Sequence, residues 1–362
     1  MSAEERDNSR RYTKFQEGFI MLEQTVTMAH GSGGESTGRL IAELFAKNFS
    51  NEYLDRMTDS SVVPGSAQIA MTTDSFVVTP VEYPGGDIGR LAVCGTVNDL
   101  LMSGAVPKYL TAGFILEEGL PMETLRRVVK SMADTAREAG VLIVTGDTKV
   151  VENHSSDAKG EGGLYINTAG VGFVPEGTHL DAASIRPGDK ILVSGTLGEH
   201  HATILAKRMG LENESLESDN APLDDIVNHL RTSGAAVRAM RDVTRGGLAT
   251  VLSEFVLSSG QQIEIEESLI PVKKPVRDFC GILGLEPVYM GNEGKLIAVI
   301  APEDASKALD AVRSAKYGEN AAIIGEVTGD HGEGSAELIL KTPVGGRRVL
   351  GPLYGEGLPR IC

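Results

Sequence analysis

Four aspartates border apolar segments in short polar or glycine-rich stretches, namely Asp74, Asp99, Asp147 and Asp242. Magnesium prefers hard oxygen ligands and keeps waters and substrate phosphates in its shell, so carboxylates from several separate loops suit a site for magnesium and a nucleotide. Taken singly, each acid is explained more simply as a helix N-cap or an Asx turn. Asp87, which follows a Gly-Gly pair, is a fifth such acid, and both Asp87 and Asp242 fit the N-cap explanation well. The first four aspartates are the candidate metal ligands.

A glycine-rich stretch precedes a segment whose apolar residues recur at helical spacing. The stretch consists of Gly31, Ser32, Gly33 and Gly34, and the apolar residues after it are Leu40, Ile41, Leu44, Phe45 and Phe49. Glycines before a helix expose backbone N–H groups and the positive end of the helix dipole to an anion. The spacing matches neither the Walker loop nor the dinucleotide fingerprint, so by itself it is a weak indication of phosphate binding.

The chain ends in Cys362, at the end of a tail that is rich in glycine. Termini are mobile unless something docks them, and glycine-rich segments add no stiffness of their own. A thiol in this position could act as a movable nucleophile that carries a bound group between sites. It is explained equally well as an ordinary end residue. A lipid anchor is the weaker alternative, because the prenylation box places its cysteine about four residues from the end.

The two other cysteines, Cys94 and Cys280, stand among apolar residues and are predicted to be small buried side chains. The three cysteines have no CxxC spacing, which argues against a zinc site, a redox pair or a disulfide framework.

Composition places the chain among globular proteins and excludes some functions. Its 362 residues are enough for two domains that each bury a core, with 41% hydrophobic and 23% charged residues. The net charge of -16 argues against nucleic acid as a partner, because neutralising phosphates needs clustered Lys and Arg. The sequence contains no run of about 20 apolar residues and no signal segment at its start, so we expect a cytoplasmic protein.

Helical and strand patterns alternate irregularly along the chain. Predicted helices cover 88–102, 121–139, 248–258 and 303–314, with another beginning near 202, and predicted strands cover 68–79, 141–145, 164–174, 190–194, 263–265, 295–300, 321–327 and 336–340. Strands mixed with helices, without strict alternation, favour an α+β fold of two mixed α/β domains.

A Pro-Gly-Asp turn at 187–189 marks the predicted domain boundary. The prediction is a disordered N-terminal extension at 1–29, an ATP-binding and dimerisation domain at 30–186, a second α+β domain at 187–344 and a flexible tail at 345–362.

Seven strings of residues, taken in order, carry a resemblance to known enzymes. They are HGSGG from His30, PGGDIG from Pro84, VCGTVNDL from Val93, GDTKVV from Gly146, DVTRGG from Asp242, GNEGK from Gly291 and PRIC from Pro359. The set resembles the superfamily that includes aminoimidazole ribonucleotide synthetase, selenophosphate synthetase and thiamine monophosphate kinase. More narrowly, it resembles the HypE family of hydrogenase maturation factors, over nearly the whole chain from His30 onward. The closing PRIC is the most specific of the strings.

The resemblance implies a fold like that of aminoimidazole ribonucleotide synthetase and an ATP-dependent dehydration at the chain's own end. A carbamoyl transferase, HypF, loads a carbamoyl group onto the thiol of Cys362, ATP activates its oxygen, and loss of phosphate leaves a thiocyanate. The cyano group then passes through a HypC-HypD complex to the iron of a nickel-iron hydrogenase. By analogy with related enzymes, we expect a homodimer in which strands of the N-terminal domains pair.

The same resemblance implies roles for particular residues. Lys149 and Glu293 are expected near the carbamoyl nitrogen and oxygen, where removal of two N–H protons needs general bases. The four candidate aspartates would hold Mg²⁺. Residues expected to bind ATP are Gly31, Ser32, Gly33, Gly34, Asp87, Asn98, Thr148 and Arg245.

Two other functions fit the same residues. The chain could act as a kinase or synthetase on a free small molecule, in which case Cys362 would be incidental. It could also be a scaffold that binds nucleotide as a switch and offers its tail to partners. His154, His200 and His201 are predicted to be surface or capping residues rather than metal ligands.

Overall fold

The computed structural model describes residues 24–58, 60–153, 162–211, 214–329 and 335–352. Cys362 and His154 therefore lie outside the described residues.

The described chain begins with a segment that packs on the body of the protein. Val26 is fully buried, and its backbone exchanges hydrogen bonds with Gly119 and Leu120. A 3₁₀ turn at Met28–Gly31 leads into a helical run that consists of α1 (Glu35–Leu40), a π-helical turn (Ile41–Ala46) and α2 (Lys47–Phe49). The predicted extension at 1–29 is thus wrong for residues 24–29, because the apolar side chain of Val26 joins the core.

The first sheet has four strands in the order β1-β6-β4-β5. They are β1 (Ile69–Phe76), β4 (Val106–Glu117), β5 (Leu142–Val151) and β6 (Leu164–Phe173), and only β4 and β5 run parallel. A short hairpin, β2 (Glu82–Tyr83) and β3 (Gly86–Asp87), precedes α3.

Helix α3 (Ile88–Met102) is apolar on nearly all sides and lies at the centre of the molecule. A helix of this kind must be covered all round. Together with α4 (Met122–Glu138) it covers one face of the first sheet, and its other side contacts the second half of the chain at β8 and α6. Among the described residues, none covers Met71 or Ile115 on the opposite face of the first sheet, and both side chains are exposed; this face is called the open face below.

The second sheet has seven strands in the order β13-β12-β9-β11-β7-β10-β8. They are β7 (Lys190–Val193), β8 (Val237–Asp242), β9 (Gln262–Glu266), β10 (Leu296–Ile300), β11 (Ala322–Gly329), β12 (Leu338–Lys341) and β13 (Arg347–Leu350). Every residue of β10 is buried, as expected for a strand covered on both faces.

Five helices accompany the second sheet: α5 (Glu199–Arg208), α6 (Asp224–Ser233), α7 (Gly247–Ser259), α8 (Lys274–Leu283) and α9 (Ala305–Ser314). Leu296 of β10 belongs to a core that also contains Leu91 of α3, whereas its neighbour Ile297 packs with α7 on the other face. The two sheets therefore share one continuous core.

The mixed α/β architecture confirms the predicted fold class. The domain boundary at 186/187 stays a prediction, although the second sheet begins just after it, at Lys190. The tail predicted from 345 is wrong in its first part, because Arg347–Leu350 pairs with β12 as an edge strand. None of the described helices is long and apolar enough to cross a membrane.

Candidate active site

Three of the four predicted metal ligands come together between the two sheets. Asp74 lies on β1 and faces α3 at Gly95, where a Cβ would lie 3.8 Å from Asp74 Oδ2, an ordinary contact, but only 2.8 Å from the ring of Phe76. Asp99 lies about one helical turn after Gly95 on α3, and its Oδ2 accepts a hydrogen bond of 2.8 Å from Thr72 Oγ1. Asp242 ends β8, directly opposite Leu296 of β10.

Glu293 joins these aspartates from the loop that precedes β10. The side chain is buried, with 4% of the residue exposed. Backbone hydrogen bonds connect this loop to the segment after Asp242, since Asn292 donates to Val243 O and Val243 donates to Lys295 O, both at 2.9 Å. The loop also needs a glycine after Glu293, because a Cβ at Gly294 would lie 1.9 Å from Asp219 O.

The carboxylates perturb one another strongly. Burial, with the negative charge of Asp99, raises the pKa of Asp74 to about 6. Burial and Asp99 likewise raise the pKa of Asp242 to about 7. Burial, with Asp242, Asp219 and Asp74 as neighbours, raises the pKa of Glu293 well above its ordinary value, and Arg245 opposes the shift. Carboxylates that lie close together and away from water mark a candidate functional site, because a cation or a proton must offset their negative charge.

The donor set fits magnesium in its chemistry. In the described part of the chain, no three His, Cys, Asp or Glu side chains are arranged to hold a metal by themselves. Magnesium commonly takes only one or two carboxylates and completes its shell with water and substrate phosphates. Asp74, Asp99 and Asp242 offer such oxygens, and a cation beside them would oppose the rise in the pKa of Asp74 and Asp242 that burial and the charge of Asp99 produce.

Asp147 does not lie with the other three aspartates. It lies on the edge strand β5, three strands away from β1, which is roughly 14 Å at the usual strand spacing. It is in register with Asn167, whose amide donates to Ser75 Oγ on the open face of the sheet, whereas Asp74 faces α3. Lys149 Nζ pairs with Asp147 Oδ2 at 2.6 Å, and this ion pair lowers the pKa of Asp147.

The glycine-rich stretch lies against β5 and forms a cavity of about 420 Å³ with it. Gly31 must be a glycine, because a Cβ there would lie 2.8 Å from Val150 Cβ. Gly33, Thr148 and Lys149 line the polar part of this cavity, and the apolar part is lined by Ile41, Phe45, Phe49, Leu54, Phe114 and Ile143. Ser32 and Gly34 lie beside it: Ser32 Oγ donates to Ala29 O, and Gly34 caps α1.

Asp87 and Asn98 both make hydrogen bonds that stabilise the fold. Asp87 Oδ1 accepts from the N–H groups of Gly89 and Arg90 as the N-cap of α3, roughly 18 Å along the helix from Asp99. Asn98 is buried, and its amide donates to Ala221 O and Glu293 O and accepts from Leu223 N. Their expected contacts with ATP stay predictions. Arg245 lies close enough to Asp74 and Glu293 for its positive charge to oppose the rise in the pKa of each.

Several buried polar residues around Glu293 were not predicted from the sequence. Asp219 and Lys295 form a buried ion pair of 3.1 Å. His200 and His201 are also buried, so the expectation of surface histidines is wrong; His200 Nδ1 lies 2.7 Å from Ser218 Oγ. In the sequence, the two glycines of the GNEGK string, one on each side of Asn292 and Glu293, were the feature that indicated a functional role for this region. Cys94 and Cys280 are free and buried, which confirms that prediction.

Comparison with known proteins finds similar chains. Two family models match: "AIR synthase related protein, N-terminal domain" over residues 57–174 and "AIR synthase related protein, C-terminal domain" over residues 186–336. The chain is 49% identical over 342 residues to the carbamoyl dehydratase HypE of Azotobacter vinelandii, which covers 93% of this chain and 97% of the relative.

Two solved structures of similar proteins add detail. A crystal structure of the hydrogenase maturation protein HypE in complex with ATP has a TM-score of 0.88 and 45% identity, and the match covers 93% of this chain and 100% of that chain. A crystal structure of a HypE-HypF complex has a TM-score of 0.74 and 45% identity, with 87% of this chain and 99% of that chain covered.

Proposed function

The chain belongs to the HypE family of AIR synthase related proteins, and on that premise we propose that it is an ATP-dependent carbamoyl dehydratase whose substrate is its own terminal thiol. The carbamoyl group on Cys362 becomes a thiocyanate, which supplies cyanide ligands for the iron of a nickel-iron hydrogenase.

The observation that carries the proposal is the buried Glu293 beside Asp74, Asp99 and Asp242. A carboxylate with a raised pKa is a stronger base than an ordinary one, which suits the abstraction of an amide proton. The adjoining aspartates provide the oxygens that a nucleotide's metal requires. A candidate base and candidate ligands for the nucleotide's metal therefore lie together at the meeting point of the two sheets.

The chemistry balances as follows. The carbamoyl oxygen attacks the γ-phosphorus of ATP, ADP leaves, and loss of one N–H proton gives a phosphorylated imidate. Loss of the second N–H proton and departure of phosphate form the C≡N bond, so the sulfur ends as a thiocyanate. Phosphorylation is required because an amide oxygen is a poor leaving group. Glu293 is the proposed acceptor of the first proton and the departing phosphate of the second, while the ammonium group of Lys149 is proposed to stabilise charge on the transferring phosphoryl group.

ATP is proposed to bind at the cavity formed by Gly31, Gly33, Thr148 and Lys149. Its apolar part suits the adenine ring, and its polar part suits the phosphates. Asp74, Asp99, Asp242 and, at the cavity, Asp147 would hold Mg²⁺, which when bound neutralises charge on the transferring phosphoryl group. The structure of a similar HypE with ATP supports a nucleotide in this fold.

A homodimer is proposed to complete the site. Within one chain, Lys149 and Asp147 lie near the opposite edge of the first sheet from Asp74, and they point to the other face. The open face of that sheet exposes Met71 to 70% and Ile115 to 44%, as expected of an apolar surface that a second copy covers. Pairing of two open faces would place the β5 edge of one copy near the carboxylate cluster of the other.

HypF is the proposed donor of the carbamoyl group, supported by the solved complex of a similar HypE with HypF. A HypC-HypD complex is the proposed acceptor of the cyano group. Both transfers need a thiol that can leave the site, and a terminal cysteine meets this need. Because the reaction consumes ATP, we place it in the cytoplasm.

Intact mass spectrometry tests the proposal directly. The chain is incubated with HypF, carbamoyl phosphate and ATP, alongside a Cys362→Ala variant. We expect a carbamoyl adduct on the terminal peptide that ATP converts to a species lighter by one water. No adduct, or an adduct indifferent to Cys362, would contradict the proposal and favour a kinase acting on a free small molecule.

A further inference from the structure

Asn292 directly precedes Glu293, and its side chain is buried, with 1% of the residue exposed. Its Nδ2 donates to Val243 O at 3.0 Å and to Met290 O at 3.1 Å. Its Oδ1 accepts a hydrogen bond of 2.7 Å from Gly198 N. A carboxamide has two N–H groups, so both are occupied. Asn292 is therefore not placed to contact a substrate, and it can act on the site only through the segments that it joins.

Two of the joined segments carry acids of the carboxylate cluster. Val243 directly follows Asp242, which ends β8. Glu293 directly follows Asn292. The carbonyl oxygen of Val243 accepts from the backbone N–H of Asn292 at 2.9 Å as well as from its Nδ2. The two segments are thus held together by two hydrogen bonds to one oxygen, and this contact lies one residue from each acid.

The third joined segment is the start of α5, which anchors the carboxamide. Gly198 is the N-cap of α5, and the first N–H groups of a helix have no partner within it. Asn292 Oδ1 satisfies the N–H of Gly198, whose φ of 90° lies in the left-handed region that favours glycine. The segment has little room to shift, because a Cβ at Gly198 would lie 2.9 Å from Val276 Cγ1 of α8. The start of the helix therefore fixes where the Asn292 side chain lies.

Glu293 lies in a loop, whereas Asp242 belongs to a strand that pairs with β10. Val243 N donates to Lys295 O at 2.9 Å, which closes one end of the loop, and the Asn292 contacts to Val243 O close the other end. Burial raises the pKa of Glu293 and the charge of Asp242 raises it further, so the two carboxylates repel each other when both are ionised. Loss of the Asn292 contact should therefore move the loop with Glu293 and leave Asp242 in place.

We propose that Asn292 is a positioning residue that fixes the place of the Glu293 carboxylate relative to Asp242. Asp242 is a proposed ligand of the nucleotide's metal and Glu293 is the proposed base, so this separation determines where the base meets a carbamoyl group that receives phosphate. The inference deepens the proposed function and rests on it for these two roles. Because Asn292 acts through the loop, its removal should lower the rate of the chemical step more than the affinity for ATP.

The assay follows one turnover of the full-length chain. Cyanate first carbamoylates the thiol of Cys362, since isocyanic acid adds across an S–H bond to give S–CO–NH₂. After the cyanate is removed, ATP and Mg²⁺ start the reaction, and mass spectrometry follows the loss of one water from the terminal peptide. The ATP dependence of the rate gives a maximal rate and a half-saturating ATP concentration for each variant.

Two substitutions remove the contact in different ways. Asn292→Asp keeps an acceptor for the Gly198 N–H but has no donor, so an oxygen faces Val243 O. Asn292→Ala removes the same contacts without adding a charge. We expect each variant to lower the maximal rate about 100-fold, the size of effect that a displacement of about 1 Å at a reacting group can have. The half-saturating ATP concentration should change less than about threefold, since Asp242 stays in β8.

The matched control is Gln262→Glu, which also converts a buried amide to an acid, in β9 of the second sheet. Loss of buried hydrogen bonds should lower the melting temperatures of Gln262→Glu and Asn292→Asp alike, by about 5–10 °C. Only Asn292→Asp should lose maximal rate when both are assayed well below their melting temperatures. An equal loss of rate in the two variants would overturn the proposal, because general destabilisation would then explain the effect.

Gly198→Ala tests the contact from the side of α5 and leaves Asn292 unchanged. Its Cβ would collide with Val276, so the start of α5 must shift and its N–H must leave Asn292 Oδ1. We expect a maximal rate about tenfold below that of the parent. The parent rate in Asn292→Ala, or in Gly198→Ala should the Asn292 variants not fold, would overturn the proposal. A parent chain that does not dehydrate contradicts the proposed function itself, whereas an active parent matched by its variants contradicts this inference alone.

Discussion

The backbone N–H of Glu293 donates a hydrogen bond of 3.1 Å to Asp219 Oδ1. Asp219 is held in turn by the buried ammonium of Lys295, so the conformation of the Glu293 loop depends on an ion pair that has no contact with the nucleotide site. The close approach of Gly294 to Asp219 O completes this arrangement. Glu293, the candidate base, is thus positioned by groups in the second half of the chain.

Gly294→Ala should remove activity without removing the base itself. Its Cβ would lie 1.9 Å from Asp219 O, so the loop must move and carry Glu293 with it. A displacement of about 1 Å at a reacting group can lower a rate about 100-fold. Single-turnover dehydration measured by intact mass should show a loss of at least that size.

The control for this substitution is Gly281→Ala, in the exposed part of α8, where a Cβ would meet nothing within 4 Å. This change should leave the rate unchanged and raise the free energy of unfolding by about 0.5–1 kcal/mol, because alanine loses less conformational entropy in a helix. Equal rates in the two variants would contradict the positioning argument.

Glu293→Gln should block dehydration after the carbamoyl group has been loaded. The amide has nearly the same shape but cannot take a proton, and loss of a general base lowers rates by about 10²- to 10⁴-fold. We expect the carbamoyl adduct to accumulate on the terminal peptide and ATP binding to persist. Glu303→Gln, at an exposed position before α9, is the matched control and should behave like the parent chain. Normal thiocyanate formation by Glu293→Gln would remove this residue from the mechanism.

Asp242→Asn should stabilise the ligand-free protein while it abolishes ATP turnover. Burial and Asp99 raise the pKa of Asp242 to about 7, so the native state binds a proton more tightly than the unfolded chain, whose aspartates titrate near about 3.9. The sign follows from linkage: stability contributed by this group is lost as pH rises from about 4 to 7. The melting temperature of the parent should fall over this range, and that of Asp242→Asn should fall less.

At pH 8 without nucleotide, the variant should melt a few degrees above the parent, at roughly 2 °C per kcal/mol for a protein of this size. Adding Mg²⁺ and ATP should stabilise the parent and leave the variant nearly unchanged. Asp310→Asn, on the exposed side of α9, is the control and should shift neither value. A lower melting temperature for Asp242→Asn at pH 8 would show that the carboxylate is stabilised rather than strained.

Arg90→Lys should loosen the contact between the two halves of the chain. The guanidinium of Arg90 pairs with Glu138 at 2.8 Å and donates to Asn220 O and to Tyr317 Oη, and lysine cannot reproduce this fork. We expect a cost of about 1–3 kcal/mol in urea unfolding. Arg127→Lys removes an equally short but exposed pair with Glu82 and should cost less than about 1 kcal/mol. Equal losses in the free energy of unfolding of the two variants would show that burial of the Arg90–Glu138 pair adds no stability.

Much of the fold could be predicted from sequence periodicity. The bounds of α3 and β6 differ from the prediction by no more than one residue, because their apolar patterns end at turn residues. Strand β8 was missed, since Val237–Asp242 is short and its charged and apolar residues do not alternate strictly. The residue types predicted a shared site for Asp74, Asp99 and Asp242, whereas their spacing did not.

The rest of the site could not be predicted, for physical reasons. Asp219 and Lys295 are distant in sequence and pair only because the loops before α6 and β10 pack on each other. Asp87 and Asn98 have the residue types of ligands, but their hydrogen bonds are taken by the backbone, which only the folded chain shows. Asp147 is separated from the other aspartates because side chains alternate between the two faces of the sheet. The residue type alone does not show on which face a carboxylate lies.

Met71→Asp, alone or with Ile115→Asp, should convert the proposed dimer into monomers. Both side chains lie on the open face of the first sheet, where a buried carboxylate facing a second copy would cost several kcal/mol. Light scattering after size-exclusion chromatography should show half the parent mass, and dehydration should be lost although Glu293 is untouched. The control is Leu257→Asp, on α7, which is exposed to 85% and far from this face, and which should stay dimeric and active. Monomers that dehydrate the carbamoyl group at the parent rate would contradict the proposal that a second copy completes the site. In that case either Lys149 of the same chain is sufficient, although it lies at the far edge of the sheet, or the reaction does not need Lys149.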